Sequence, residues 1–253
     1  MNKDLIKANL NLYAVLKNLE DLVACDKEMK NLARDWDISI QFSVRKGPRV
    51  CVSFRDGACT VERGKCRKPT VRLFFTSPAH LNRMFDGKGN PIPLKGFSRL
   101  GFLTKDFPKL TDRLAYYLKP DDALLKNKKY LEMNTRMTLN IAAFALRELA
   151  AYDPPSREIA SHLGDTFIEM KVLPKGPAVN IRITDGAIEP SKGEAERPMA
   201  VMHMKDMKVA NDFLNGKSDS FAALALGDVI IRGQIHYIEA ITPIFDRIPL
   251  YLS

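Results

Sequence analysis

The sequence predicts two tandem α+β domains of one plan, each a mainly antiparallel sheet of about five strands covered by helices. Three observations carry this. The stretch KGPRVCVSFRDGA at Lys46 returns as KGPAVNIRITDGA at Lys175, an offset of 129 residues. The same offset pairs Gly64 with Gly193, Pro69 with Pro198, Asn82 with Asn211, Gly87 with Gly216 and Lys88 with Lys217, so the register holds without a gap over residues 46–88. A period of that length is a domain, not one unit of a solenoid. Each copy also opens on helical apolar spacing and then passes into alternation with period two. Finally, 45% hydrophobic content over 253 residues gives each half enough apolar surface for its own core. The domains are expected at residues 1–120 and 121–253.

The elements follow in order. Leu5, Leu12, Val15, Leu16, Leu19, Leu22 and Val23 recur at spacings of three and four and mark the first helix. Leu139, Ala142, Ala143, Leu146 and Leu149 mark its counterpart, which ends at Pro154-Pro155. A short helix over 156–163, capped by Ser156, is expected next. Ile38, Ile40, Phe42 and Val44 alternate with polar residues, as do Ile168, Met170 and Val172. After the KGP turns, Val50, Val52 and Phe54 alternate, and so do Val179, Ile181 and Ile183. One polar face indicates antiparallel strands packed on one side. Asp56-Gly57 and Asp185-Gly186 are hairpin turns that send third strands out from Ala58 and Ala187. Fourth strands are expected at 71–76 and 200–205, then short helices at 78–85 and 206–214 ended by Gly87 and Gly216. The second copy adds an apolar segment at 221–226, a Gly227-Asp228 turn, a strand at 229–232 and a final helix over 237–250. In the first copy Asp112-Arg113 matches Asp246-Arg247 at an offset of 134, so five residues are lost, and Pro91 and Pro93 stand there. That part of the first sheet should be short or an edge.

Charge is uneven. Residues 1–120 hold 23 Lys+Arg and 12 Asp+Glu, a net +11, whereas residues 121–253 hold 16 and 18, a net −2. Arg63, Lys65, Arg67 and Lys68 lie in the densest part and are the candidate membrane-docking residues, fit for an anionic lipid surface. The same cluster also suits a plain solvated face. No nucleic-acid partner is expected, because aromatics do not interleave with these cations as a stacking platform requires.

The chemistry-bearing residues point away from catalysis. Gly216-Lys217-Ser218 resembles the end of a phosphate loop, but Asn211 stands where its first glycine is needed, and a helix precedes it. His80, His162, His203 and His236 have neither HExxH spacing nor a counterpart in the other copy. Cys25, Cys51, Cys59 and Cys66 contain no CxxC, so no zinc site is expected. The second copy has Asn180, Ile188 and Ala195 in place of the last three. Without a secretion signal, disulfides are not expected and the cysteines read as small buried hydrophobes. Trp36 should pack at the helix–strand junction. No metal or cofactor is expected, and no nucleophile–base pair stands out. There is neither an N-terminal apolar stretch nor a run of the roughly 20 apolar residues that span a bilayer, so a cytoplasmic protein is expected.

The second copy carries, in order, DGA at Asp185, Gly193, Pro198, FLNGK at 213–217, Ala222-Ala223, Gly227 and Gly233. This pattern resembles the sterol carrier protein type 2 family of lipid-binding domains. The resemblance covers nearly all of the second copy. In the first it covers Asp56-Gly57, Gly64, Pro69 and MFDGK at 84–88, while GNPIPLKGF at 89–97 replaces the rest. It implies a five-stranded sheet under helices, with an apolar tunnel between them for sterols, fatty acyl chains or acyl-CoA. The family's peroxisomal ending, Ser-Lys-Leu, is absent, since the chain ends Tyr251-Leu252-Ser253. The expected function is therefore a non-enzymatic lipid carrier, with an apolar lipid as ligand. The alternatives are an interaction module in a lipid or isoprenoid pathway without its own ligand, or an acyl-substrate enzyme. The expected lining is Met170, Ile181, Met202, Met204, Phe213, Phe221, Leu224, Leu226, Ile231 and Ile235, where flexible methionines adapt to varied ligands. Each position also suits a filled core, and the sequence leaves both open.

Overall fold

The computed structural model describes residues 3–99 and 101–252. Its contacts divide the chain into two units, one running to Tyr116 and the other from Tyr117 to Tyr251.

The first unit enters through α1 (Lys3–Leu10), a π-helical turn, a 3-10 turn and α2 (Leu19–Cys25). The predicted leucine stripe packs inward: Leu12, Leu16, Leu19, Leu22 and Val23 are buried. The chain turns extended at Asp26, whose carboxylate accepts the Glu28 and Met29 amides and starts α3 (Lys27–Ala33). Trp36 follows, edge-on to Phe54 at 5.0 Å and to Phe102 at 4.9 Å, which is the junction role expected of it. The sheet holds β1 (Ile38–Val44), β2 (Arg49–Arg55), β3 (Ala58–Arg63), β4 (Val71–Phe75) and β5 (Ile92–Lys95), in the order β3-β2-β1-β4-β5. Asp56 and Gly57, at φ 52° and 71°, form the β2–β3 turn, a conformation that glycine adopts without cost. After α4 (Pro78–Phe85), the edge strand β5 is four residues long, as its prolines require. The unit closes with α5 (Phe107–Leu118).

The second unit repeats this plan. It holds α6 (Lys128–Tyr152), α7 (Pro154–Ser161), β6 (Thr166–Val172), β7 (Ala178–Thr184), β8 (Ala187–Lys192), β9 (Ala200–Met204), α8 (Met207–Leu214), α9 (Ser220–Ala225), β10 (Val229–Gly233), α10 (Ile235–Phe245) and α11 (Pro249–Leu252). Its five strands run β10-β9-β6-β7-β8, the same order read from the other edge. The β6–β7 turn is one residue longer than that of the first unit, so β1 and β6 correspond at an offset of 128.

The sheets are mainly antiparallel, as expected, with one parallel pairing in each, β1 with β4 and β6 with β9. Period-two alternation reports one buried face whatever the strand direction, so it does not reveal this crossover. Asp153, not Ser156, caps α7: it accepts the Ser156 amide at 3.1 Å and the Ser156 hydroxyl at 2.6 Å. The last helix is interrupted after Phe245 and resumes at Pro249, which suits a first-turn position.

The repeated Asp-Arg dipeptides gain a role here. Arg113 donates to the α3 cap Asp26 at 2.9 Å. Arg247 donates through both Nε and Nη2 to the α7 cap Asp153, which also accepts the Tyr251 hydroxyl at 2.6 Å. Burial opposes ionisation of Asp153 most strongly. The hydrogen bonds from Arg247, Ser156 and Tyr251 together outweigh it and hold the carboxyl well below the ordinary carboxylate range.

Candidate functional site

In the second unit, strand register sorts the expected lining residues onto one surface. Met170 sits beside Met202, and Met202 beside Ile231. Met204 lies next to Val229, and Ile181 next to Ile168. These residues share the face against which α6 and α10 pack. Met170, Ile181, Met202 and Met204 are buried there and Ile231 half-buried, together with Leu139, Ala143, Leu146 and Leu149 of α6 and Ile238, Ile241 and Ile244 of α10. The centre of this sheet face carries no charge, and Lys192 reaches the face only at the end of β8. Glu169 and His203, joined at 3.0 Å, fall on the opposite face.

The other lining candidates separate from this layer. Phe213 is half-buried on α8. Phe221 is 85% exposed and Leu226 76%, with Leu224 and Ile235 exposed as well. Along α9 only Ala223 is buried. A helix of under two turns has no stripe wide enough to orient all its apolar residues inward. The expected ten-residue lining is thus a buried layer of four, the half-buried Ile231 and Phe213, and an exposed rim of four.

The cysteine reading is corrected. Cys51 and Cys66 form a disulfide with Cα atoms 5.1 Å apart, while Cys59 is buried and Cys25 exposed. The loop after β3 folds back over the sheet and brings Cys66 to β2, a contact that linear spacing does not show. Such bonds are rare in the cytosol, so location stays an expectation. No described helix is long and apolar enough to cross a membrane. Among the described residues no His, Cys, Asp or Glu group could hold a metal.

Sequence reasoning missed a groove in the first unit. It spans about 760 Å³, lies open to solvent, and is walled by Met29 and Leu32 of α3 and by Lys109, Arg113 and Tyr116 of α5. Its walls come from helices far apart in sequence, so no local pattern marked it. The basic residues Arg63, Lys65, Arg67 and Lys68 are all exposed. Arg63 lies over the Tyr13 ring at 3.8 Å.

No family model and no curated protein matches the chain. Solved structures similar to it include a UbiJ-SCP2 ubiquinone synthesis protein, at 12% identity over 40% of this chain and 86% of that one, with a TM-score of 0.32. The apo sterol carrier protein 2 of Yarrowia lipolytica shares 10% identity over 41% of this chain and 90% of its own, at a TM-score of 0.31. A conserved hypothetical protein of Thermus thermophilus shares 24% identity over 42% of this chain and 79% of its own, also at 0.31. The fold rests on the duplicated register and the shared strand order.

Proposed function

We propose that the chain is a non-enzymatic lipid-binding or carrier protein whose second unit takes an apolar ligand between its sheet and the helices α6 and α10. The observation that carries this reading is the methionine cluster. Met170, Met202 and Met204 meet on one sheet face under those helices, and its centre carries no charge. Thioether side chains repack at low cost, which suits a site that must part around a long apolar molecule. The exposed apolar residues of α9 supply a rim by which such a molecule would arrive.

The full enclosure of Ile181 and Met204 favours a second reading, in which this layer is a closed core and the unit an interaction module. Native mass spectrometry of the whole protein, before and after incubation with fatty acid or sterol, separates the two. The carrier predicts bound lipid that organic extraction recovers. A protein that keeps its apo mass at every lipid concentration overturns the carrier and leaves the module.

A further inference from the structure

In each unit one segment crosses the outer sheet face to connect the third strand to the fourth. In the first unit it is GKCRKPT, residues 64–70, and it is pinned along its length. The Gly64 amide donates to the Arg49 carbonyl at 2.8 Å, and Gln41 Nε2 donates to the Gly64 carbonyl at 3.1 Å. The Cys66 amide donates to Gln41 Oε1 at 2.6 Å, and Cys66 is bonded to Cys51. The Thr70 amide donates to Ser39 Oγ at 3.1 Å, and Lys95 Nζ donates to the Pro69 carbonyl at 2.7 Å. Between these anchors Lys65, Arg67 and Lys68 are exposed.

The second unit has the same crossing, GEAERPM at 193–199. There Asn180 Nδ2 donates to the Gly193 carbonyl at 3.1 Å, and the Ala195 amide donates to Glu169 Oε2 at 2.8 Å. Asn180 and Ala195 hold the places of Cys51 and Cys66, so this crossing is held by hydrogen bonds without a cross-link. The net charge is reversed: Glu194 and Glu196 replace Lys65 and Arg67, while Arg197 stands in the place of Lys68. Beside the cationic crossing lies the segment that breaks the repeat. Lys95 ties the two together, and Gly96 abuts Thr70 so closely that an added Cβ would meet its carbonyl oxygen at 3.1 Å. That segment exposes Leu94 at 57% and Phe97 at 62%.

We infer that the 64–70 crossing, with Leu94 and Phe97 beside it, is a docking surface for an anionic lipid bilayer, and that the Cys51–Cys66 bond preforms it. Cations meet headgroup phosphates while the adjacent apolar side chains enter the interface. A polynucleotide would call instead for aromatics interleaved with the cations. The inference stands whether or not the second unit carries lipid, since docking and cargo are read separately.

The test is sedimentation of full-length protein with phosphatidylcholine vesicles, with and without phosphatidylserine. Wild type should bind only the anionic vesicles and dissociate as salt is raised. Lys65→Glu, Arg67→Glu and Lys68→Glu combined should weaken binding about a hundredfold, each cation being worth about fivefold. Leu94→Ser with Phe97→Ser should weaken it while leaving the salt dependence intact. Cys51→Asn with Cys66→Ala, the pair the second unit uses, should weaken it about fivefold through the added cost of ordering the loop. Thermal melts of all variants should stay cooperative, because apart from the cysteine pair the substituted residues are exposed. Equal binding to neutral vesicles, or full binding by the charge-reversed variant, would overturn the docking surface. Tighter binding to duplex DNA than to anionic vesicles at the same salt would replace the bilayer with a polynucleotide. Unchanged binding by the Cys51→Asn, Cys66→Ala variant would remove the role of the cross-link.

Discussion

Asp26 and Asp153 occupy the same place in the two copies, each capping a short helix and each held by the arginine of a repeated Asp-Arg dipeptide. Asp153 is fully buried. Removing its partner by Arg247→Met strands a charge out of water and should cost about 3 kcal/mol, read from chemical denaturation. The pH dependence has a definite sign. The carboxyl titrates lower in the folded protein than the 3.8 of the free side chain, so the unfolded chain takes up the proton first as pH falls. The stabilisation is complete above about pH 5 and drains away below about pH 4. The melting-temperature gap between wild type and Asp153→Asn should therefore narrow on acidification, and a constant gap would contradict the assignment. Sequence alone marked the two dipeptides by their repetition. It did not show their partners, because each salt bridge joins residues distant in the chain.

Elements were legible where a periodic pattern was backed by punctuation. The strands opening at Ala58 and Ala187 followed from Asp-Gly turns, and the helix Pro78–Phe85 from a proline start and a glycine stop. The parallel pairing of β1 with β4 was not legible, since alternation encodes a face and not a direction. Nor was the fate of α9, whose run of apolar residues reads as core and stands exposed. The candidate site divides accordingly: its strand residues share one face because period two fixes their side of the sheet, while 221–226 had no partner that sequence could name. A direct contrast follows. Phe221→Asp should leave the melt within about 0.5 kcal/mol of wild type, as other exposed substitutions do. Ile181→Asp, in the buried layer, should unfold the second unit. If Phe221→Asp unfolds it too, α9 is packed in solution.

For the whole molecule, the repeat predicts two pieces that fold alone. Residues 1–120 and 121–253, expressed separately, should each melt cooperatively. A piece beginning at Thr135 should not. It loses the buried Tyr130 and Met133, and also Asn134, whose Oδ1 accepts from Asn211 Nδ2 at 2.6 Å. Calorimetry of the three fragments checks this, and a cooperative melt of the shortest would move the boundary inward.

The parallel pairing also sets an order of assembly. Arg55 opposite Ala58 and Thr184 opposite Ala187 close tiny loops, so the hairpins can form early and locally. Ile40 opposite Val71 and Ile168 opposite Ala200 close only after the crossing segments have swung over the sheet. Closure entropy is spent there before any contact rewards it, so these pairings complete late on the folding pathway. Weakening Val71 or Ala200 should then speed unfolding while leaving the folding rate nearly untouched, and both copies should share this kinetic signature because both share the crossover.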